Sequence, residues 1–285
     1  MKIKPNPKRV YHFKIDTNRF KIYYNVSNIK EGYYPHSGVT LREGIILLYK
    51  HPKKDLWVSI DAYHNSNMAN VNMSHMLSDD ICYEVLLYTP LLSDLDKLVI
   101  ETDDKHHIEY IEENTNRKIL VCGGPTSFGM GCTAVSLMFS NILARKLDAN
   151  ITNISYCNDD YLKKIEENFS MDTSGKYKVG IIELNGLNHE KISTNNLRNL
   201  IDYLNSHCDI LIGWYYLKEI NEVAEELLKE EIENNTIILK NISHIFNEKN
   251  RDMCSYGNEY INDSGNILIF KELFSTICEV TKWNI

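Results

Sequence analysis

The pattern of apolar and polar positions changes character near residue 115. Before it, short apolar runs predict strands at Phe13–Ile15, Phe20–Tyr24, Val39–Leu41, Ile45–Tyr49, Glu84–Tyr88 and Leu95–Glu101. Leu56, Val58, Ile60 and Ala62 alternate with Trp57, Ser59 and Asp61, the period of a half-buried strand. Polar turns separate these runs, and none has helical periodicity. Residues 1–115 therefore read as an all-β sandwich, jelly-roll-like in style. A charged stretch, Glu101–Lys118, follows, with the boundary placed at Asn114–Asn116. From residue 116 to 285, strands alternate with helix faces. The strands are Ile119–Cys122, Ile151–Tyr156, Val179–Leu184, Ile210–Trp214 and Ile237–Leu239. Between them fall the helical spacings of Val135, Met138, Phe139, Ile142, Leu143 and Leu147, of Tyr161, Leu162, Ile165 and Phe169, and of Leu197, Leu200, Ile201 and Leu204. Ile220–Ile232 and Ile267–Val280 predict two more helices. Such alternation predicts an α/β domain on a parallel sheet.

Composition narrows the function. The chain of 285 residues carries 31 Lys and Arg against 39 Asp and Glu, a formal charge of −8, which disfavours nucleic acid and anionic membrane as partners. No apolar run reaches the length of a membrane span, and the first ten residues lack the apolar core of a secretion signal. Seven scattered Cys without a C-x-x-C pair fit reduced thiols and a cytoplasmic location. No spacing calls for a cofactor or a metal. The adjacent His106 and His107 would point to opposite faces of a strand and read as a solvated edge.

The chemistry concentrates in Lys118–Leu147, a buried strand, a turn with Gly123, Gly124, Pro125, Gly129 and Gly131, then a helix. A phosphate loop would place Gly-Lys-Ser/Thr at the helix start, and this turn has no lysine. The turn instead resembles block I of the SGNH/GDSL hydrolases, G-D-S-x-T-x-G. Gly123 matches the first glycine, Ser127 the later Thr, and Phe128-Gly129-Met130-Gly131 the tail. In this ungapped register Gly124 stands at the family's Asp and Pro125 at its nucleophilic Ser. A register one residue shorter keeps Ser127 as the nucleophile. The resemblance implies a three-layer α/β/α domain and an esterase or acyltransferase ancestry. Bacterial members with an N-terminal β-sandwich share the layout.

The resemblance extends over later blocks. Asn153 fits the Asn of N-x-G-x-S-G-x-G, whose oxyanion glycine would fall near Cys157 or Asn158. Gly186-Leu187-Asn188 resembles G-x-N-D with His189 at the Asp, so Asn188 is the oxyanion residue retained. In the last block, D-x-x-H-P-N-x-x-G, Gly257 stands at the triad Asp and Tyr260 at the triad His. A phenol with an ordinary pKa of about 10 is a poor general base at neutral pH, and Pro125 offers no nucleophile. These matches predict a non-catalytic protein holding an acyl or carbohydrate ligand, or a protein or peptide partner, with Gly124, Pro125, Gly186, Asn188 and Tyr260 around the old pocket. The alternative is an esterase, amidase or acyltransferase with a rebuilt site, using Ser127 or a Cys157–His189 couple. A later histidine, His244, follows the fifth strand and reads as a polar residue at a strand end.

Overall fold

The computed structural model describes residues 2–3, 10–29, 38–54, 56–63, 68–78, 81–111, 116–157, 161–168, 176–187, 194–246, 251–256 and 260–283. They form two compact units, residues 1–114 with 133–136, and residues 115–132 with 137–285.

The first unit contains strands β1 (Lys2–Ile3), β2 (Val10–Ile15), β3 (Arg19–Ser27), β4 (Ile45–Lys50), β5 (Trp57–Tyr63), β6 (Met68–Asn72), β7 (Tyr83–Tyr88), β8 (Asp94–Glu101) and β9 (Ile108–Tyr110). They build two antiparallel sheets, ordered β1-β8-β3-β6 and β5-β4-β7-β2-β9. Alternation directs Phe13, Ile15, Phe20, Ile22, Val85, Leu87, Leu98 and Ile100 into one core. Val39–Leu41, expected as a strand, is instead part of a short helix, α1 (Val39–Arg42). A three-residue apolar run carries no period, and tertiary contacts decide it. Leu41 is buried, and its carbonyl accepts from the Leu91 and Leu92 amides. Strand β6 escaped the sequence reading because Ala69 and Val71 are its two buried residues, set between asparagines.

In the second unit β10 (Lys118–Gly123), β11 (Asn150–Ser155), β12 (Tyr177–Glu183), β13 (Cys208–Tyr215) and β14 (Ile238–Asn241) form a wholly parallel sheet, ordered β11-β10-β12-β13-β14. Helices cover both faces: α3 (Phe139–Leu147), α4 (Tyr161–Asn168), α5 (Thr194–His207), α6 (Ile220–Leu227) and α9 (Asp263–Thr281). Ile119 and Val121 of β10 join one core with Phe139, Leu143, Leu273 and Ile277 from α3 and α9. Leu120 and Cys122 join the other, with Leu162, Ile165, Leu197 and Ala224 from α4, α5 and α6. A strand buried on both faces reads as a continuous apolar run. The result is the expected α/β/α layering. The 220–232 segment is two helices, α6 and α7 (Lys229–Glu233), meeting at Leu228. Two further short elements are α8 (Arg251–Cys254) and the hairpin β15 (Ser255–Tyr256) with β16 (Tyr260–Ile261). Asn262 caps α9 by accepting from the Gly265 amide at 3.1 Å.

Leu143 is fully buried between α3 and the sheet, whereas Ile267 on α9 is exposed. Leu143→Ala is expected to cost about 2–5 kcal/mol, and Ile267→Ala to stay within about 0.5 kcal/mol. Urea unfolding of the two variants against the parent checks this, and equal midpoints would contradict the packing described.

Candidate functional site

The carboxyl ends of β10, β11 and β12 meet at the glycine-rich turn, where open α/β sheets hold their sites. The turn does not run directly into α3. It first makes α2 (Pro125–Phe128), a single helical turn. Pro125 opens it, where its missing N–H removes no hydrogen bond. Gly129 closes it with φ of 91°, a conformation that a side chain resists. The Gly129 and Met130 amides return to the Pro125 carbonyl at 3.1 and 3.0 Å.

Above the turn sits Glu183, the last residue of β12 and almost completely buried. Its Oε2 accepts from the Gly124 amide at 3.1 Å and the Ser127 amide at 2.8 Å. Its Oε1 accepts from Asn185 Nδ2 at 3.2 Å. Asn185 Oδ1 in turn accepts from the Tyr216 amide at 2.8 Å, tying β13 to the same network. Burial pushes the Glu183 carboxyl above its ordinary range. Donors from Ser127, Asn185 and Gly124 pull the other way without cancelling it.

Tyr161, at the start of α4, closes the space between β10 and β12. Its hydroxyl donates to the Glu183 carbonyl at 2.9 Å and accepts from the Gly186 amide at 2.8 Å. A Cβ on Gly124 or on Gly186 would stand 2.5 Å from the Tyr161 ring edge. Both glycines are thus bare because an aromatic ring occupies the space beside them. Burial, then the nearby Glu183, raises the Tyr161 phenol well above its usual value, so it stays a neutral donor.

The sequence candidates separate clearly against this geometry. Gly124, Pro125, Ser127 and Gly186 come together. Ser127 is fully buried, and its hydroxyl, though close to Glu183, has no hydrogen-bond partner of good geometry. Cys157 is half-buried just past β11, beside Tyr156, whose amide donates to the Gly123 carbonyl at 2.9 Å. Tyr260 lies on β16, whose Ile261 backbone packs directly on Gly131. Asn188, His189, Asn158 and Gly257 lie outside the described residues. Cys122 and Cys132 are deeply buried, and burial raises both thiols, the condition of inert cysteines. His244 stands near Glu272 at 3.4 Å on an exposed surface. His106 sits in a turn near Asp16, at 3.3 Å. Among the described residues no group of three or more His, Cys, Asp or Glu is placed to hold a metal. Sequence reasoning passed over Glu183 and Tyr161, the residues that occupy the site. One signal was present in the strand itself, a lone carboxylate closing the apolar run V-G-I-I-E.

No family model and no curated relative matches the chain. Solved structures do. A protein of Bacteroides ovatus described as a GDSL-like lipase superposes with a TM-score of 0.73 at 16% identity, covering 97% of this chain and 85% of that one. A family two carbohydrate esterase from Clostridium thermocellum, solved with cellohexaose, gives 0.65 at 11% identity, covering 96% and 92%. The chain has the SGNH-hydrolase fold. A salicylyl acyltransferase from a tetracycline biosynthetic pathway shares that fold too, with a TM-score of 0.69 at 9% identity over 95% and 82% of the two chains. No described helix is long and apolar enough to cross a membrane.

Glu183 links this SGNH-fold sheet to pH. In the unfolded chain its carboxyl ionises near 4.5, and in the fold it keeps its proton to higher pH. Between those values the folded state binds more protons, so this group's contribution to stability falls as pH rises through the window. Glu183→Gln is expected to flatten that part of the profile. Urea midpoints measured at pH 5 and pH 8 for parent and variant test it, and parallel profiles would refute the assignment.

Proposed function

We propose that this SGNH-fold domain has lost the Ser-His-Asp esterase mechanism and acts as a binding or scaffold protein. The observation that carries the reading is the seat of Tyr161. Its ring fills the space between Gly124 and Gly186, and its hydroxyl consumes the Gly186 amide. The Gly124 and Ser127 amides are consumed by Glu183. Ester hydrolysis needs a nucleophile, a base and free donors for the developing oxyanion. Pro125 supplies neither a hydroxyl nor an N–H. Ser127, the nucleophile of the shorter register, has a hydroxyl that no substrate reaches while the turn is closed. The donors beside it already hold the protein's own oxygens.

Without nucleophile and base, a protease retains roughly 10³–10⁴-fold over water from its oxyanion hole and binding alone. Here the donors of the hole are engaged as well. Purified protein is expected to hydrolyse aryl acetates no faster than buffer at neutral pH. It should also leave Ser127 unlabelled by a fluorophosphonate. Turnover that disappears in Ser127→Ala or Cys157→Ala would overturn this and establish a rebuilt serine or thiol site. Tyr161→Phe is expected to cost about 1–3 kcal/mol of stability by stranding the Gly186 amide, without creating esterase activity.

A further inference from the structure

Asn185 and Gly186 form the one Asn-Gly pair in the chain. They are the central residues of a turn that follows β12, closed by the Leu187 amide donating to the Leu184 carbonyl at 3.0 Å. Both are partly exposed, so water reaches the turn. An asparagine carboxamide is open to attack by the backbone nitrogen of the next residue, and a glycine there has no Cβ to obstruct the approach. Packing accounts for each residue separately. Position 186 is bare because the Tyr161 ring stands beside it, where a Cβ would come within 2.5 Å. Position 185 carries a carboxamide that bridges two strands. Its Nδ2 donates to Glu183 Oε1 at 3.2 Å, and its Oδ1 accepts from the Tyr216 and Leu217 amides at 2.8 and 3.4 Å.

The same contacts restrain the groups that would react. The Gly186 N–H is given to the Tyr161 hydroxyl at 2.8 Å. That phenol, kept neutral by burial, donates its own proton to the Glu183 carbonyl, so it holds the N–H without removing its proton. Both ends of the Asn185 carboxamide are held as well. We propose that Asn185 is a deamidation site whose rate is set by opening of the Tyr161–Gly186 hydrogen bond, and whose product dismantles the Glu183 cluster. In the open turn, hydroxide takes the Gly186 amide proton and the nitrogen attacks Asn185 Cγ. The new C–N bond closes a succinimide ring as the Cγ–Nδ2 bond breaks. The departing nitrogen takes a proton from water and leaves as ammonia, which regenerates the hydroxide. A further water opens the ring to an aspartate or an isoaspartate at position 185, so overall one water is consumed and one ammonia released. Neither product can donate to Glu183 Oε1, and each sets an acceptor against it where a donor stood. The isoaspartate also adds a methylene to the main chain of the turn.

The test is peptide mapping by mass spectrometry over a time course at pH 8, on the folded full chain, on the same chain unfolded in urea, and on folded Tyr161→Phe. Unfolding is expected to speed conversion of Asn185 by at least about tenfold, and Tyr161→Phe to speed it by about tenfold, the worth of one hydrogen bond in an opening equilibrium. Asn205, an Asn-Ser position inside α5, reports global unfolding in the same digests and should convert equally in parent and variant. In the parent alone, urea below the unfolding transition should raise Asn185 conversion and hydrogen exchange of the Gly186 amide by the same factor. Asn185→Asp, which installs the product charge directly, should lower the urea midpoint. The proposal fails if the folded parent converts Asn185 as fast as the unfolded chain. It fails if Tyr161→Phe changes nothing or accelerates Asn205 equally, or if conversion does not follow Gly186 exchange. An Asn185→Asp midpoint equal to that of the parent overturns the claimed effect on the cluster.

Discussion

A carboxylate buried at the end of a parallel sheet must be satisfied by hydrogen bonds, and this requirement organises the second unit. Glu183 meets it with the Gly124 and Ser127 amides and with Asn185 Nδ2. Those two amides belong to the N-cap and the body of a helical turn too short to stabilise itself. The acid therefore holds the turn, and the turn solvates the acid. Through Asn185 the same cluster fixes the backbone of Tyr216 at the end of β13. Three elements of the sheet edge thus depend on one buried carboxyl group.

Backbone amides at a sheet edge are donors that can stabilise developing negative charge when they are left free. Here the same class of donor is spent on internal oxygens. Glu183 takes two amides of the turn, and the Tyr161 hydroxyl takes that of Gly186. The tyrosine ring also fills the volume beside the bare α-carbons of Gly124 and Gly186. Hydrogen bonding and volume point in one direction, towards a self-satisfied cluster.

The sequence by itself determined the parts that depend on periodicity. Continuous apolar runs such as Ile119–Cys122 and Val179–Leu184 are what a sheet covered on both faces requires, and alternation in the first unit is what a one-faced core requires. The glycine and proline punctuation of residues 123–131 located the turn, because few residues other than glycine adopt a φ of 91° as Gly129 does. Where the periodic signal was short, tertiary contacts decided. Val39–Leu41 became helical with its Leu41 carbonyl bound to Leu91 and Leu92, and the 220–232 segment divided at Leu228. The occupancy of the site was illegible for a related reason. Tyr161 is 37 residues from Gly124 and 25 from Gly186, and in the chain it reads as one more apolar position on a helix face. Glu183 reads as the polar end of a strand. Only the parallel stacking of β10 against β12 brings that carboxylate over the turn amides and that ring between two glycines, because a sheet register joins residues that sequence spacing cannot relate.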